Sequence, residues 1–179
     1  MESLVVAICL PKDVAKRLAT LCYALPDATW QDEYSYFISL FPLGQINNVR
    51  LDKVREVLRE IISEPISIEL KGVNYSSHGH SSGILQVGVE DSPVLLALQK
   101  RLFILLGELG IRPAKSELKA HILLGSVPIK SFSRLGDYLS NASNFMHPKF
   151  FVTSIHLLSV HTTSKRTVFD IVEVFHLNK

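Results

Sequence analysis

Two short segments, Phe37-Ile38-Ser39-Leu40-Phe41 and His121-Ile122-Leu123-Leu124-Gly125, constrain this chain most. Each is strand-like and apolar, runs into a glycine-bearing turn and is followed by a helical pattern. Gly44 precedes Leu51 to Ile62, and Gly125 precedes Lys130 to Leu139. The chain is therefore expected to use one unit twice. Side chains at i and i+2 share a face of a half-buried strand, so Phe37 and Ser39 point one way, as do His121 and Leu123. Two such strands facing each other would converge on one cleft.

The rest of the chain fills in around this repeat. Val5 to Leu10 reads as a buried strand, and Pro11 opens a helix from about Lys12 to Tyr23, since proline is tolerated in a first helical turn. Leu25-Pro26-Asp27 ends it, and Tyr36 to Phe41 is the next strand. Leu51, Val54, Leu58 and Ile61 recur at helical spacing on one side of the second helix. Pro65 starts a strand through about Val73, a polar loop spans Asn74 to Ser82, and Ile84 to Val89 returns as a strand. Ser92-Pro93 makes a good N-cap and first position for a helix to about Leu109, closed by Gly110. Leu118 to Gly125, Phe150 to Val160 and Thr167 to Leu177 are predicted strands, with a helix over Lys130 to Leu139. No Pro/Gly-rich linker separates the halves. The expectation is one bilobal α+β domain over residues 1–179, with two antiparallel sheets, flanking helices and a central cleft.

With 47% hydrophobic and 20% charged residues, the composition is that of a folded globular chain. A net charge of +2 is too mild for a general nucleic-acid binder, but leaves room for a site that grips one phosphate or a short RNA end. Cys9 and Cys22 read as buried free thiols in a reducing compartment. The apolar run Leu4 to Leu10 is too short to span a membrane and has no basic residues before it. A cytoplasmic monomer, with no membrane contact, is expected.

The order and spacing of several landmarks resemble the two-histidine phosphoesterases, in the branch of the 2′-5′ RNA ligases and RNA 2′,3′-cyclic phosphodiesterases. That family carries two copies of His-x-Thr/Ser-x. Leu4-Val5-Val6-Ala7-Ile8-Cys9-Leu10-Pro11 resembles its first strand, and Trp30 stands seven residues before Phe37, as a Trp does before the family's first His. Phe41-Pro42-Leu43-Gly44, Gly88-Val89-Glu90-Asp91-Ser92-Pro93 and Ala120-His121-Ile122-Leu123-Leu124 resemble further family segments. The departures fall on the chemistry. Phe37 stands where the first catalytic His belongs, Ser39 replaces the first Thr, His121 keeps the second His, and Leu123 replaces the second Thr. Gly83 and Ser126 stand where arginines often occur.

The resemblance implies metal- and cofactor-free hydrolysis of cyclic phosphates. One His activates water, the other protonates the departing ribose oxygen, and the hydroxyls bind phosphate oxygens. His121 and Ser39 are thus the catalytic candidates, with His121 as the base. An imidazole suits that work because it titrates near neutral pH. Read without the resemblance, His121 is more simply a strand histidine bonded into the interface between halves. Phe37, Lys119 and Leu123 are candidates to contact the substrate, an RNA end or a small nucleotide. Phe37 is able to stack on a base or to fill an abandoned site with apolar bulk, and Leu123 suits the second option. Lys119 is expected to share a face with His121, or to be a solvated lysine. His78 and His80, in a flexible loop, and His161 are the alternatives for the missing acid. The His-x-His pair lacks carboxylate or Cys companions, so no metal is expected. Catalysis is therefore expected to be weak or lost, and a non-catalytic module that binds nucleotides or RNA ends is the alternative.

Overall fold

The computed structural model describes residues 3–78, 81–113, 119–128, 132–163 and 167–177. Local signals set the helices. The Asn47 side chain accepts from Arg50 N–H at 2.9 Å and starts α2, Asn48–Arg59. Ser92 Oγ accepts from Leu95 N–H at 3.2 Å, with Pro93 in the first turn of α3, Pro93–Glu108. That helix buries Leu95, Leu98, Leu102 and Leu106, one stripe at helical spacing. Gly110, at φ +72°, supplies the left-handed turn that ends it. Helix α1 covers Lys12–Ala19, shorter than expected, and α4 covers Phe132–Ala142. None of the described helices is long and apolar enough to cross a membrane.

The strands are β1 Ser3–Cys9, β2 Thr29–Trp30, β3 Phe37–Gly44, β4 Ile66–His78, β5 Ser82–Val89, β6 His121–Pro128, β7 Met146–Val152, β8 Ser154–Thr162 and β9 Thr167–His176. They form one antiparallel sheet in the order β7-β4-β5-β6-β3-β1-β8-β9, with β2 laid against β6. The expected pair of sheets is realised as two halves of this sheet. The halves meet where β3 and β6 share a single pair, Ile38 opposite Ile122.

Two predicted elements differ. The run Phe150 to Val160 is not one strand. Thr153 divides it, and its two parts go to distant places, β7 onto β4 and β8 onto β1. A one-residue link between strands so far apart in sheet order requires the sheet to curl until its ends approach. Leu177 N–H bonding to Thr153 C=O at 2.8 Å ties that seam. The segment read as a polar loop from Asn74 instead extends β4 to His78, held by its ladder to β5 from Asn74↔Gln86 to His78↔Ser82. His80 and the residues 114–118 and 129–131, including Leu118 and Lys130 of the predicted elements, lie outside the described residues. Side chains from both halves share one core: Ile66, Ile68 and Leu70 of β4 belong to the same buried cluster as Ile8, Ile38, Ile155 and Leu157.

Candidate functional site

The repeat read in the sequence has a structural counterpart, residue for residue. Along β3, residues Phe37, Ile38, Ser39, Leu40, Phe41 run half-buried, buried, half-buried, buried, buried. Along β6, His121, Ile122, Leu123, Leu124, Gly125 run the same way. Two consecutive buried residues break the alternation of a regular strand, and the register shows why. In β3, Ala7↔Ser39 is followed by Val6↔Phe41, so Leu40 has no partner on β1. In β6, Gln86↔Leu123 is followed by Leu85↔Gly125, so Leu124 has none on β5. Each strand carries a β-bulge at its fourth residue, a feature that re-aims side chains beside functional sites. The one pair joining the halves, Ile38↔Ile122, is a residue and its own repeat equivalent. A local two-fold axis therefore passes through that pair.

Antiparallel pairing about this axis sets what flanks it. Ile38 and Ile122 are fully buried beneath the sheet. On the other face Ser39 lies on the His121 side of the pair, and Phe37 on the Leu123 side. All four line one cleft of about 260 Å³, with Ser3, Leu4, Val5, Pro42, Val160, Thr167, Gln31 and Ser35 completing its walls. The cleft is thus divided along the axis into a polar half, Ser39 and His121, and an apolar half, Phe37 and Leu123.

The polar half has a defined proton arrangement. His121 Nδ1 lies 3.1 Å from the Lys119 carbonyl oxygen. A carbonyl only accepts, so Nδ1 carries the hydrogen and Nε2 of the neutral ring holds the lone pair. Lys119 acts here through its backbone. It precedes β6, its side chain is exposed, and it is not among the residues lining the cleft, so the face-sharing inferred from strand alternation does not hold.

The apolar half is tied into hydrocarbon. Phe37 packs edge-to-face on Phe169 of β9, with ring centroids 5.4 Å apart, beside a small cluster of Val5, Ala7 and Leu158. Tyr36 points away from it into the core, its hydroxyl 3.2 Å from Cys22 Sγ, and burial first, then that hydrogen bond, pushes its pKa up. Cys9 and Cys22 are both half-buried free thiols rather than fully buried ones, and burial raises the Cys9 thiol to about 11.

Sequence reading missed Gln31. Its N–H donates to the carbonyl of the bulged Leu124 at 2.7 Å, and its Oε1 accepts from Thr167 N–H at 2.8 Å. It thereby pins β6, the cleft wall and the start of β9 together. Gly125 makes this close approach possible, since a Cβ there would meet the Thr29 carbonyl at 2.6 Å. A glutamine after a two-residue strand carries no signal of this in a single sequence.

Of the three histidines named as substitutes, His161 is the one whose side chain is described, and the structure places it outside the cleft lining. His161 Nε2 lies 3.3 Å from Ser159 Oγ and 3.6 Å from Asp170 Oδ2 on β8 and β9, and it does not line the cleft. The side chain of His78, like all of His80, lies outside the described residues. His156, unremarked in the sequence, accepts from Cys9 N–H at 3.4 Å, and burial is the main cause lowering its pKa. The arginine expected by resemblance at Gly83 has no route to the cleft. Gly83 is buried on the side of β5 shared with Leu85 and Val87, and a Cβ there would fall on the Tyr75 ring. Ser126 is half-buried on β6, opposite Thr29.

Comparison with known proteins agrees with this geometry. No family model matches the sequence. An RNA 2′,3′-cyclic phosphodiesterase of Archaeoglobus fulgidus is 26% identical over 138 residues, 77% of each protein. The structure of TT0787 from Thermus thermophilus superposes with a TM-score of 0.76 at 17% identity, covering 98% of this chain and 97% of that one. E. coli LigT in complex with 3′-AMP superposes at 0.73 and 16% identity, covering 99% of both chains. The chain thus shares the fold of TT0787 and LigT, and its sequence is similar to that of an RNA 2′,3′-cyclic phosphodiesterase.

Proposed function

We propose that this protein binds RNA ends or small nucleotides by their terminal phosphate in the divided cleft, and hydrolyses cyclic phosphates weakly or not at all. The observation that carries this reading is the division itself. The Ser39–His121 half keeps a hydroxyl donor and a histidine whose lone pair sits on Nε2, while the opposite half is Phe37 and Leu123. Ser39 donates to a phosphate oxygen. His121 Nε2 takes a proton from an attacking water or, when protonated, pairs with the phosphate. Phe37 has no proton to give the leaving ribose oxygen, and loss of a general acid costs about 10²–10⁴ in rate. The nucleotide ligand is supported by the cyclic phosphodiesterase relative and by the 3′-AMP held by LigT.

Titration calorimetry with 3′-AMP and with 2′,3′-cyclic AMP, alongside a chromatographic turnover assay, tests it. Binding that His121→Ala and Ser39→Ala each weaken, with turnover far below that of an intact family member, is the expected outcome. Absence of binding defeats the proposal. Fast turnover abolished by His121→Ala defeats its catalytic half and redirects attention to another acid.

A further inference from the structure

A second cavity adjoins the cleft, and the proposed function does not use it. It encloses about 280 Å³ between the first turns of α1 and the segment 33–36. Its walls include Lys12, Lys16, Tyr34, Glu33 and Phe169. Two features make it a neighbour of the cleft. Phe169 lines the second cavity while its edge-to-face partner Phe37 lines the first, so one aromatic pair forms the wall between them. The short helical turn Glu33–Ser35 divides its side chains the same way, with Ser35 in the cleft and Glu33 and Tyr34 in the second cavity.

The chemistry of the second cavity is cationic and aromatic. Lys12 and Lys16 stand one helical turn apart, both exposed, and among the described residues neither has an ion-pair partner. Tyr34 is 78% exposed, a ring held out to solvent at the cavity mouth. The carboxylate of Glu33 opposes anion binding, but it lies beside the Tyr34 hydroxyl and is hydrogen-bonded to it. Two ammonium groups beside an exposed aromatic face suit a phosphodiester and the base attached to it, since stacking is available to every base.

We infer that the Lys12–Lys16–Tyr34 cavity is a second nucleotide subsite, so that the ligand is a single-stranded RNA of at least two nucleotides rather than a mononucleotide. The terminal phosphate sits at Ser39 and His121, the strand crosses the Phe37–Phe169 wall, and the adjoining phosphodiester meets the two lysines. This rests on the proposed use of the cleft, and the test separates the two.

Affinities are measured by calorimetry for 3′-AMP and for a di- and a tetraribonucleotide ending in the same 3′-phosphate, at several salt concentrations. Wild-type protein is expected to bind the oligonucleotides about tenfold or more tighter than 3′-AMP. The Lys12→Ala/Lys16→Ala double variant is expected to remove that advantage and leave 3′-AMP binding unchanged. Its salt dependence should fall by about 0.7 in log–log slope for each phosphate that the variant no longer neutralises. Tyr34→Ala, an exposed change with no folding burden, should weaken oligonucleotides about tenfold and spare 3′-AMP. Equal affinity for mono- and oligonucleotides, or lysine variants that leave oligonucleotide binding intact or weaken both ligands alike, overturns the subsite. If 3′-AMP fails to bind while oligonucleotides bind through Lys12 and Lys16, the cleft reading falls and the subsite stands. If no ligand binds, both fall.

Discussion

Replacing Phe37 by His together with Leu123 by Thr restores the polar groups on the apolar side of the two-fold axis, and the structure sets what that costs. Phe37 is half-buried rather than core, and it lines an open cleft. The change forfeits the edge-to-face contact with Phe169, worth about 0.5–1.5 kcal/mol, and roughly half the transfer free energy of a phenyl ring, about 1–1.5 kcal/mol. The imidazole keeps access to water in the cleft, so no full penalty for a buried polar group arises. Leu123→Thr removes apolar volume worth about 1 kcal/mol, partly offset by the fit of a β-branched residue in a strand. The double variant should lose about 2–4 kcal/mol. For a chain of this size that is a fall in Tm of about 5–15 °C, within the stability of an ordinary domain. A phenylalanine in a packed core would instead cost about 3–5 kcal/mol by itself. The assay follows hydrolysis of 2′,3′-cyclic AMP in the wild type, both single variants and the double variant, with thermal unfolding in parallel. A general acid regained should raise turnover by about 10²–10⁴. A double variant that folds within the stated loss yet gains no activity would refute the reasoning, because the geometry would then not be that of a disarmed site. One that fails to fold would show that Phe37 has become core.

Three further outcomes are expected. In a double-mutant cycle on stability, Phe37→His and Leu123→Thr should couple by about 0.5–1 kcal/mol, as neighbours across paired strands do; additivity within about 0.3 kcal/mol, the error of such cycles, would deny that they form one apolar half. Gly125→Ala, whose Cβ would press on the Thr29 carbonyl and on Trp30, should cost about 1–3 kcal/mol and weaken 3′-AMP binding as Gln31 shifts, read by denaturant unfolding and calorimetry. His156 has a lowered pKa in the fold, so the unfolded chain binds the proton more readily; its contribution is complete above about pH 6.5, the ordinary histidine value, and is lost as pH falls through the lowered one. Unfolding measured from pH 8 to 5 should therefore steepen below that value, and His156→Gln should flatten the profile.

What the sequence disclosed was local. Ser92-Pro93 and Gly110 bounded α3 because capping depends on adjacent residues. Alternation aimed Phe37, Ser39, His121 and Leu123 at one side because each strand buries one face. The same rule misplaced Lys119, since β6 begins at His121 and alternation has no meaning before a strand starts. Long-range pairing was invisible. Nothing in Phe150 to Val160 announces that Thr153 parts two strands bound for opposite regions of the sheet. Polar residues from Asn74 to His78 looked like a loop because their reason for being extended is a backbone ladder to β5, which side-chain character does not encode. Gln31 and Thr167 reach the cleft only through topology.

The two-fold axis decides which of the four cleft residues are neighbours. In such a repeat, a group in one strand does not work beside its own i+2 neighbour alone. It also faces the equivalent of that neighbour across the axis. A threonine at 123 beside Phe37 would set a hydroxyl against a phenyl ring. A histidine at 37 beside Leu123 would set an imidazole beside an isobutyl group. Each mixed state sets a polar group against hydrocarbon without a fixed partner, which costs free energy when half-buried. Phe37 and Leu123 together give a consistent apolar surface, extended by Phe169, Val160 and Val5. Ser39 and His121 are likewise each other's neighbours across the axis. A cleft built this way retains one complete polar pair and offers a hydrophobic wall opposite. Under the proposed function, that arrangement would hold a phosphate from one side with the ribose or base against aromatic and aliphatic surface, and would favour holding a nucleotide over cleaving it.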